Sequence, residues 1–187
     1  MNLSRCAVVL MLSCAPVAGS AGQAPAVNLD AKILQDFTSR IGAYVTMQKK
    51  LERESPPPKS TKDPAQIKAA QEALAARIRE ARANARQGDI FTPEIAALFR
   101  KLMSPEVKGP DAKATKQTVR DEAPAAITLK VNASYPENQP LPTVPPNLLA
   151  ALPRLPESLE FRFVNNDLIL RDVHANLIVD YIPKALQ

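Results

Sequence analysis

The sequence predicts an α+β protein, with an N-terminal helical hairpin and third helix, a linker, and a small C-terminal antiparallel β-meander. Three observations predict this class. Between residues 28 and 103 apolar residues recur at alternating steps of three and four, as they do on one face of a helix. Residues 104–124 carry charges and prolines but almost no large apolar side chains, a composition typical of linkers. In residues 125–187 the apolar period changes to two, which is the period of a strand.

Residues 1–22 have the order of a secretory signal peptide. One positive charge precedes the short apolar run AVVLMLSCA, and the small-residue stretch PVAGSAGQAPA follows. The run is too short to span a bilayer, so we expect cleavage between Ser20 and Ala26 and an exported protein, periplasmic or secreted. Cleavage there removes both cysteines, which leaves no disulfide and no zinc–sulfur site. The alternative is that the stretch MLSC is a lipobox, and Cys14 then becomes a lipidated N-terminus.

Three helices are predicted within residues 28–103. The first ends at SPPPKSTKDP, because consecutive prolines cannot donate helical hydrogen bonds. The second begins at the N-cap Asp63 and is expected to reach the C-cap Gly88, and the third begins at the N-cap Thr92. We expect the first two to form an antiparallel hairpin and the third to fold back across it. The predicted apolar faces are Leu34, Phe37, Ile41, Tyr44 and Leu51 in the first helix, Ile67, Leu74, Ile78, Ala81 and Ala85 in the second, and Ile95, Leu98, Phe99 and Leu102 in the third.

The C-terminal region, residues 125–187, carries the strand signals. LEFRFV and LILRD flank Asn165-Asn166-Asp167, and asparagine tolerates the positive φ that tight hairpin turns require. NLIVDYI is predicted to be a third strand after a turn at His174. Residues 127–131, ITLKV, are the candidate for a fourth strand, and NLLAAL is predicted to form a short helix over the sheet.

The one histidine, His174, lies two positions after Asp172 and is the natural candidate for chemistry. Nucleophilic catalysis needs a positioned nucleophile as well as a base, and no Gly-x-Ser-x-Gly stretch presents a serine. Transition metals prefer several nitrogen or sulfur ligands, and here one imidazole stands alone. Two residues apart on a strand, Asp172 and His174 are expected to form a surface hydrogen bond. Asp167, Asp172 and Asp180 show no spacing that selects a catalytic pair, so we predict no catalytic, cofactor-binding or metal-binding residue.

The charge of the chain is uneven. Residues 30–103 hold 14 basic against 9 acidic residues, whereas the chain from residue 104 holds 9 against 10. Arg79, Arg82 and Arg86 are predicted to share one face of the second helix. They either complement the negative end of that helix or form a docking stripe for an acidic partner or anionic lipid. No aromatic residues interleave with these arginines, which disfavours nucleic acid as the partner.

Two stretches carry a resemblance. QGDIFTPEIAALFRKLM and PRLPESLEFRFVNNDLILRDVHANLIVDYIPKAL resemble a group of uncharacterised exported bacterial proteins, which implies export but no activity. LPESLEFRFVNNDLILRDVHANLIVDYI is similar to the terminal hairpin of RcnB-like periplasmic proteins, which are associated with nickel and cobalt homeostasis. This chain has Asn165-Asn166-Asp167 where that group usually has Gly-Asp-Asp, so the resemblance implies the shape of a hairpin and no site.

Together these features predict a non-enzymatic exported protein, periplasmic or secreted, that acts by binding a partner. We expect the partner to be a protein or an anionic envelope surface, and we expect no transmembrane span in the mature chain. Two alternatives stay open: a metal-homeostasis accessory protein that uses His174 and nearby acids, and an enzyme with an unrecognised carboxylate site.

Overall fold

The computed structural model describes residues 28–54, 62–121 and 127–186. Within them five helices precede a three-stranded antiparallel sheet, so the predicted α+β class is confirmed. The predicted signal peptide, both cysteines and the alternative lipobox lie outside the described residues. The helices are α1 (Leu29–Glu54), α2 (Pro64–Ala81), α3 (Pro93–Lys108), α4 (Ala112–Asp121) and α5 (Pro146–Ala151), and the strands are β1 (Leu159–Val164), β2 (Asp167–Asp172) and β3 (Leu177–Ile182).

The starts of α2 and α3 lie where the sequence predicts them. The carboxylate of Asp63 accepts a hydrogen bond from the backbone N–H of Ala65, and the hydroxyl of Thr92 accepts one from Ile95. A proline follows each cap, and because proline lacks an N–H it suits the first helical position. Local capping chemistry therefore accounts for both starts.

The predicted end of α2 at Gly88 is wrong. The helix ends at Ala81, with Arg82 as its C-cap, and Gly88 lies in the loop that follows, at a φ of +95°. The backbone N–H of Gly88 donates to the carboxylate of Asp180 on β3. The apolar face is correspondingly shorter than predicted, since Leu74, Ala75 and Ile78 are buried but Ile67 is 54% exposed.

The predicted linker at residues 104–124 is also wrong over the part that the structure describes. α3 continues through Pro105 to Lys108, and α4 follows from Ala112 to Asp121. The apolar side chains of this stretch are few, but they are spaced one helical turn apart and therefore lie on one face. Met103, Val107, Thr115 and Val119 are buried.

The helical part and the C-terminal part share one core, so the predicted separation into two units does not hold. Its centre is a group of phenylalanine rings from three parts of the chain. The ring of Phe99 lies 4.9 Å from that of Phe37, 5.5 Å from that of Phe91 and 6.0 Å from that of Phe161. Edge-on contacts between aromatic rings stabilise a protein by more than the burial of their apolar area alone. These contacts hold the sheet against α1 and α3.

The sheet is a meander in the order β1-β2-β3, as predicted. The β1–β2 turn has Asn165 at a φ of +55°, and Val164 pairs with Asp167 across it. Leu159, Phe161 and Phe163 are buried against the helices. The predicted alternation along β1 is therefore confirmed.

The predicted fourth strand at residues 127–131 is wrong. Residues 127–130 have no regular structure, and the chain meets β3 slightly later through one isolated bridge, Ser134 to Leu177. Asn132 has a φ of +64°, which turns the chain and limits the pairing. The segment instead covers the outer face of the sheet. A small cluster there consists of Tyr135, Val164, Ile169 and Ile178, with Ile127, Leu129 and Tyr181 packed against it.

Candidate functional site

Asp172 lies inside the protein and not on its surface. Its side chain accepts hydrogen bonds from the Tyr44 hydroxyl at 2.7 Å, from Gln48 Nε2 at 2.7 Å and from the backbone N–H of Ala175 at 2.8 Å. The residue has no exposed surface. The predicted surface hydrogen bond to His174 is therefore wrong. β2 ends at Asp172, so the alternation of strand side chains does not extend to His174 in the following turn.

His174 contacts the end of α1. Its Nδ1 lies 3.2 Å from Glu52 Oε1, and 45% of its side chain is exposed. This contact is ionic only when the imidazole is protonated. Across residues 28–54, 62–121 and 127–186, no group of three or more histidine, cysteine, aspartate or glutamate side chains is placed to hold a metal ion.

Asp180 on β3 holds the loop that follows α2. It is fully buried and accepts backbone hydrogen bonds from Gly88 at 3.0 Å and from Ile90 and Phe91 at 2.8 Å each. Three or more N–H donors stabilise a buried carboxylate in its ionised form and compensate its desolvation. The sequence gives no local signal for this arrangement, because the donors lie about 90 positions before the acid.

Arg82 is half-buried and contacts α1 and the sheet. Its guanidinium lies 5.1 Å from the centre of the Tyr44 ring and donates to Asn132 Oδ1 and to the carbonyl of Val179. Burial lowers the pKa of Arg82, while the nearby Tyr44, Asp180, Asp89 and Asp172 favour its charged form. Burial and the nearby charge of Asp172 raise the pKa of the Tyr44 hydroxyl far above its ordinary value. The contacts of Arg82 therefore give it a structural role at the edge of the core.

The predicted stripe of Arg79, Arg82 and Arg86 is not one helical face, because α2 ends at Ala81. Arg79 donates to the carbonyl of Asn132 at 3.0 Å and to the hydroxyl of Ser134 at 2.6 Å. Together with Arg82 it fastens α2 to the segment that covers the outer face of the sheet. Arg86 is exposed and lies beyond the helix.

A groove that the sequence did not indicate lies between β1 and residues 143–155, which include α5. We call it the α5–β1 groove. Its volume is about 800 Å³, within the range of about 300–1,000 Å³ that is usual for small-molecule sites. Leu149 lines the groove and is 50% exposed. Among the described residues, its main apolar lining is Val144, Leu149, Leu152, Leu155, Leu159 and Phe161.

The charged residues of this groove are mostly basic. Glu160 lines it, but Arg171 Nη1 lies 2.6 Å from Glu160 Oε1 and Arg162 Nη2 lies 2.5 Å from Glu160 Oε2. Arg162 Nη1 has only a long contact of 3.4 Å to the carbonyl of Pro142, and its buried Nε has no hydrogen-bond partner. Arg154 is exposed and forms no ion pair with any residue that the structure describes. The groove therefore combines an apolar lining with one exposed cation, Arg154, that has no acidic partner among the described residues, while Arg162 is paired with Glu160.

A second, more polar cleft lies between α2 and residues 134–141. Its two parts, of about 610 and 460 Å³, both contact Glu137, which forms a 2.9 Å ion pair with Lys68. Ile67 and Leu141 border it and are partly exposed. Its three basic residues are Lys68, Arg79 and Arg171, and each already bonds to a protein acceptor. In the α5–β1 groove, by contrast, Arg154 has no acidic partner among the described residues.

Three comparisons, with protein-family models, with curated proteins and with solved structures, find no match for this chain. The fold and the groove define an α+β protein with a basic, apolar groove beside an edge strand. Among the described helices, none is both long and apolar enough to cross a membrane.

Proposed function

We propose that this is a non-enzymatic exported binding protein and that the α5–β1 groove is its ligand site. The observation that carries the proposal is an apolar groove of about 800 Å³ with the half-exposed Leu149 in its wall. Export is inferred from the signal-like order of residues 1–22. A concave apolar surface with a few polar groups is the usual form of a ligand site.

The buried acids accept hydrogen bonds from other protein groups, which favours a binding function over acid–base catalysis. A general base must reach the proton that it removes from a substrate. Asp172 and Asp180 are fully buried and accept hydrogen bonds from protein donors, so neither is presented to a ligand. His174, the one imidazole, faces Glu52 and does not line the groove.

A neutral apolar fluorophore, N-phenyl-1-naphthylamine, tests the site without any assumption about charge. The mature chain is compared with Leu149→Asp, which places a carboxylate in the wall of the groove. The matched control is Ile67→Asp, because Ile67 is similarly exposed, at 54%, and lies on α2 outside the groove.

We expect the parent and the Ile67→Asp variant to bind the fluorophore saturably and with equal affinity. The Leu149→Asp variant should lose at least about tenfold in affinity, because burial of apolar ligand area against this wall then competes with desolvation of a charge. Equal binding by Leu149→Asp and the parent would show that the groove is not the site.

A further inference from the structure

We infer that the ligand of the α5–β1 groove is an amphipathic monocarboxylate, an acyl chain that ends in a carboxylate. The chain lies on the apolar lining of the groove, and the carboxylate pairs with Arg154 and accepts a further hydrogen bond from Nη1 of Arg162. The inference rests on the proposed function, since it names the ligand class of the same groove.

The apolar lining of the α5–β1 groove suits a flexible aliphatic chain more than a ring system. Its side chains are mostly leucine, valine and proline, which offer no flat surface for stacking. Phe161 is the one aromatic residue among the described lining residues. Its ring already packs against those of Phe91 and Phe99, and the residue is only 3% exposed. A nucleoside, whose recognition depends on stacking, would find no aromatic partner there, whereas an apolar ring that is held by burial alone can still bind.

The charge of the groove selects an anion. Glu160 is held by Arg162 and Arg171, and Arg154 has no acidic partner among the described residues. The Nη1 of Arg162 has only a long contact of 3.4 Å to the carbonyl of Pro142, so it can add a hydrogen bond to a ligand, whereas the Nε of this residue is buried and out of a ligand's reach. A planar carboxylate matches the fork of a guanidinium and forms strong, charge-assisted hydrogen bonds with it. A cationic amphiphile would instead be repelled.

A bound peptide fits the groove less well than an acyl chain. Peptides commonly add to the free edge of a sheet, where they need exposed backbone groups. On β1 the N–H of Leu159 already donates to the carbonyl of Pro156 at 2.9 Å, and Phe161 and Phe163 are 3% and 0% exposed. Most of this edge is therefore closed to a further strand. An acyl chain brings no backbone groups that need partners.

The experiment compares three twelve-carbon ligands with different head groups, each below its micellar concentration. Dodecanoate is anionic, dodecanol is neutral and dodecyltrimethylammonium is cationic. Their affinities for the mature chain are measured by displacement of N-phenyl-1-naphthylamine. The variants are Arg154→Gln, the double variant Arg154→Gln/Arg162→Gln, and Leu149→Asp. Arg86→Gln is the matched control, since Arg86 is an exposed arginine outside the groove.

We expect dodecanoate to bind at least about tenfold more tightly than dodecanol, and the cation to bind most weakly. Arg154→Gln should reduce this preference at least threefold while the affinity for dodecanol stays within twofold. Arg154 is exposed, so this variant keeps the test valid even when the double variant does not fold. The control Arg86→Gln should retain the full preference.

One outcome separates the two proposals: the parent binds the fluorophore, Leu149→Asp does not, and dodecanoate and dodecanol bind with equal affinity. That outcome would overturn the carboxylate inference and leave the groove as the ligand site. Tighter binding of an apolar hexapeptide than of dodecanoate would also overturn it. If the fluorophore itself binds the parent and Leu149→Asp equally, the proposed site fails, and this inference fails with it.

Discussion

The hydrogen bond from Tyr44 to Asp172 allows a sharp test of how the core holds its charge. The substitution Tyr44→Phe keeps the ring and removes only the hydroxyl that donates to Asp172 Oδ2 at 2.7 Å. Asp172 is fully buried, so water cannot replace the lost donor. Gln48 and the N–H of Ala175 remain as its donors.

A hydrogen bond to a charged group contributes about 1.5–3 kcal/mol, and we expect Tyr44→Phe to lower the free energy of unfolding by about 2 kcal/mol near neutral pH. This loss should depend on pH. Burial, and then the charge of Asp172, raise the pKa of Tyr44 well above its ordinary value of 10.0. Below pH 10 the hydroxyl is protonated in both states and its contribution is fully present.

Above pH 10 the unfolded state releases a proton that the folded state retains. The parent then loses about 1.4 kcal/mol of stability per pH unit through this group, and the phenylalanine variant does not. The stability gap between the two proteins should therefore narrow by about 1.4 kcal/mol between pH 9 and pH 11.

The measurement is urea unfolding of the mature protein and the variant at both pH values, followed by circular dichroism. The control is Tyr181→Phe, because the Tyr181 hydroxyl makes no hydrogen bond in the described part of the chain and the residue is partly exposed. We expect this control to stay within about 0.5 kcal/mol of the parent. A Tyr44→Phe variant as stable as the control, or a gap that is the same at pH 9 and pH 11, would refute the reasoning.

Four further outcomes follow from the contacts of single residues. Asp180→Asn should lower the free energy of unfolding by at least about 2 kcal/mol, because an amide cannot accept all of the backbone N–H groups that face the acid; a smaller loss in urea unfolding would contradict this. Arg82→Glu should destabilise by at least about 2 kcal/mol, because it removes two hydrogen bonds from a charged donor, and Arg86→Glu by less than about 0.5 kcal/mol; equal losses would show that the contacts of Arg82 do not stabilise the fold. Limited proteolysis should cut residues 104–121 no faster than the other helices, since α4 buries apolar side chains, and early cleavage there would contradict its packing. Calorimetric titration with nickel or cobalt should give the same heat for His174→Ala as for the parent, because Glu52 is the one acid paired with this imidazole among the described residues. Micromolar binding that is lost in the variant would revive the metal hypothesis.

Local chemistry predicted the fold class and many boundaries correctly. The caps Asp63 and Thr92, each followed by a proline, act within three residues of their partners, so a sequence pattern can reveal them. The turn at Asn165 is likewise a property of one residue that tolerates positive φ. The alternation of β1 then follows from the period of a strand.

Sequence patterns gave wrong predictions where a residue far away in the chain decides the local structure. α2 ends at Ala81 because the following loop wraps around Asp180, which is about 90 positions later in the chain. Residues 104–121 are rich in charge, yet a sparse apolar face one turn apart suffices for helices that pack against a formed core. The α5–β1 groove was missed because α5 has six residues, too few for its periodicity to separate the buried Leu148 from the exposed Leu149.

The sequence by itself determined the α+β class, the starts of α2 and α3 and the meander, because these depend on capping, turns and periodicity over a few residues. Only the tertiary structure decided which polar groups are structural. Tyr44 and Asp172 are 128 positions apart, and Arg82 donates to Asn132 and to the carbonyl of Val179, which are 50 and 97 positions away. A buried charge is stable only where donors converge on it in space, and that convergence depends on long-range packing that no local pattern records.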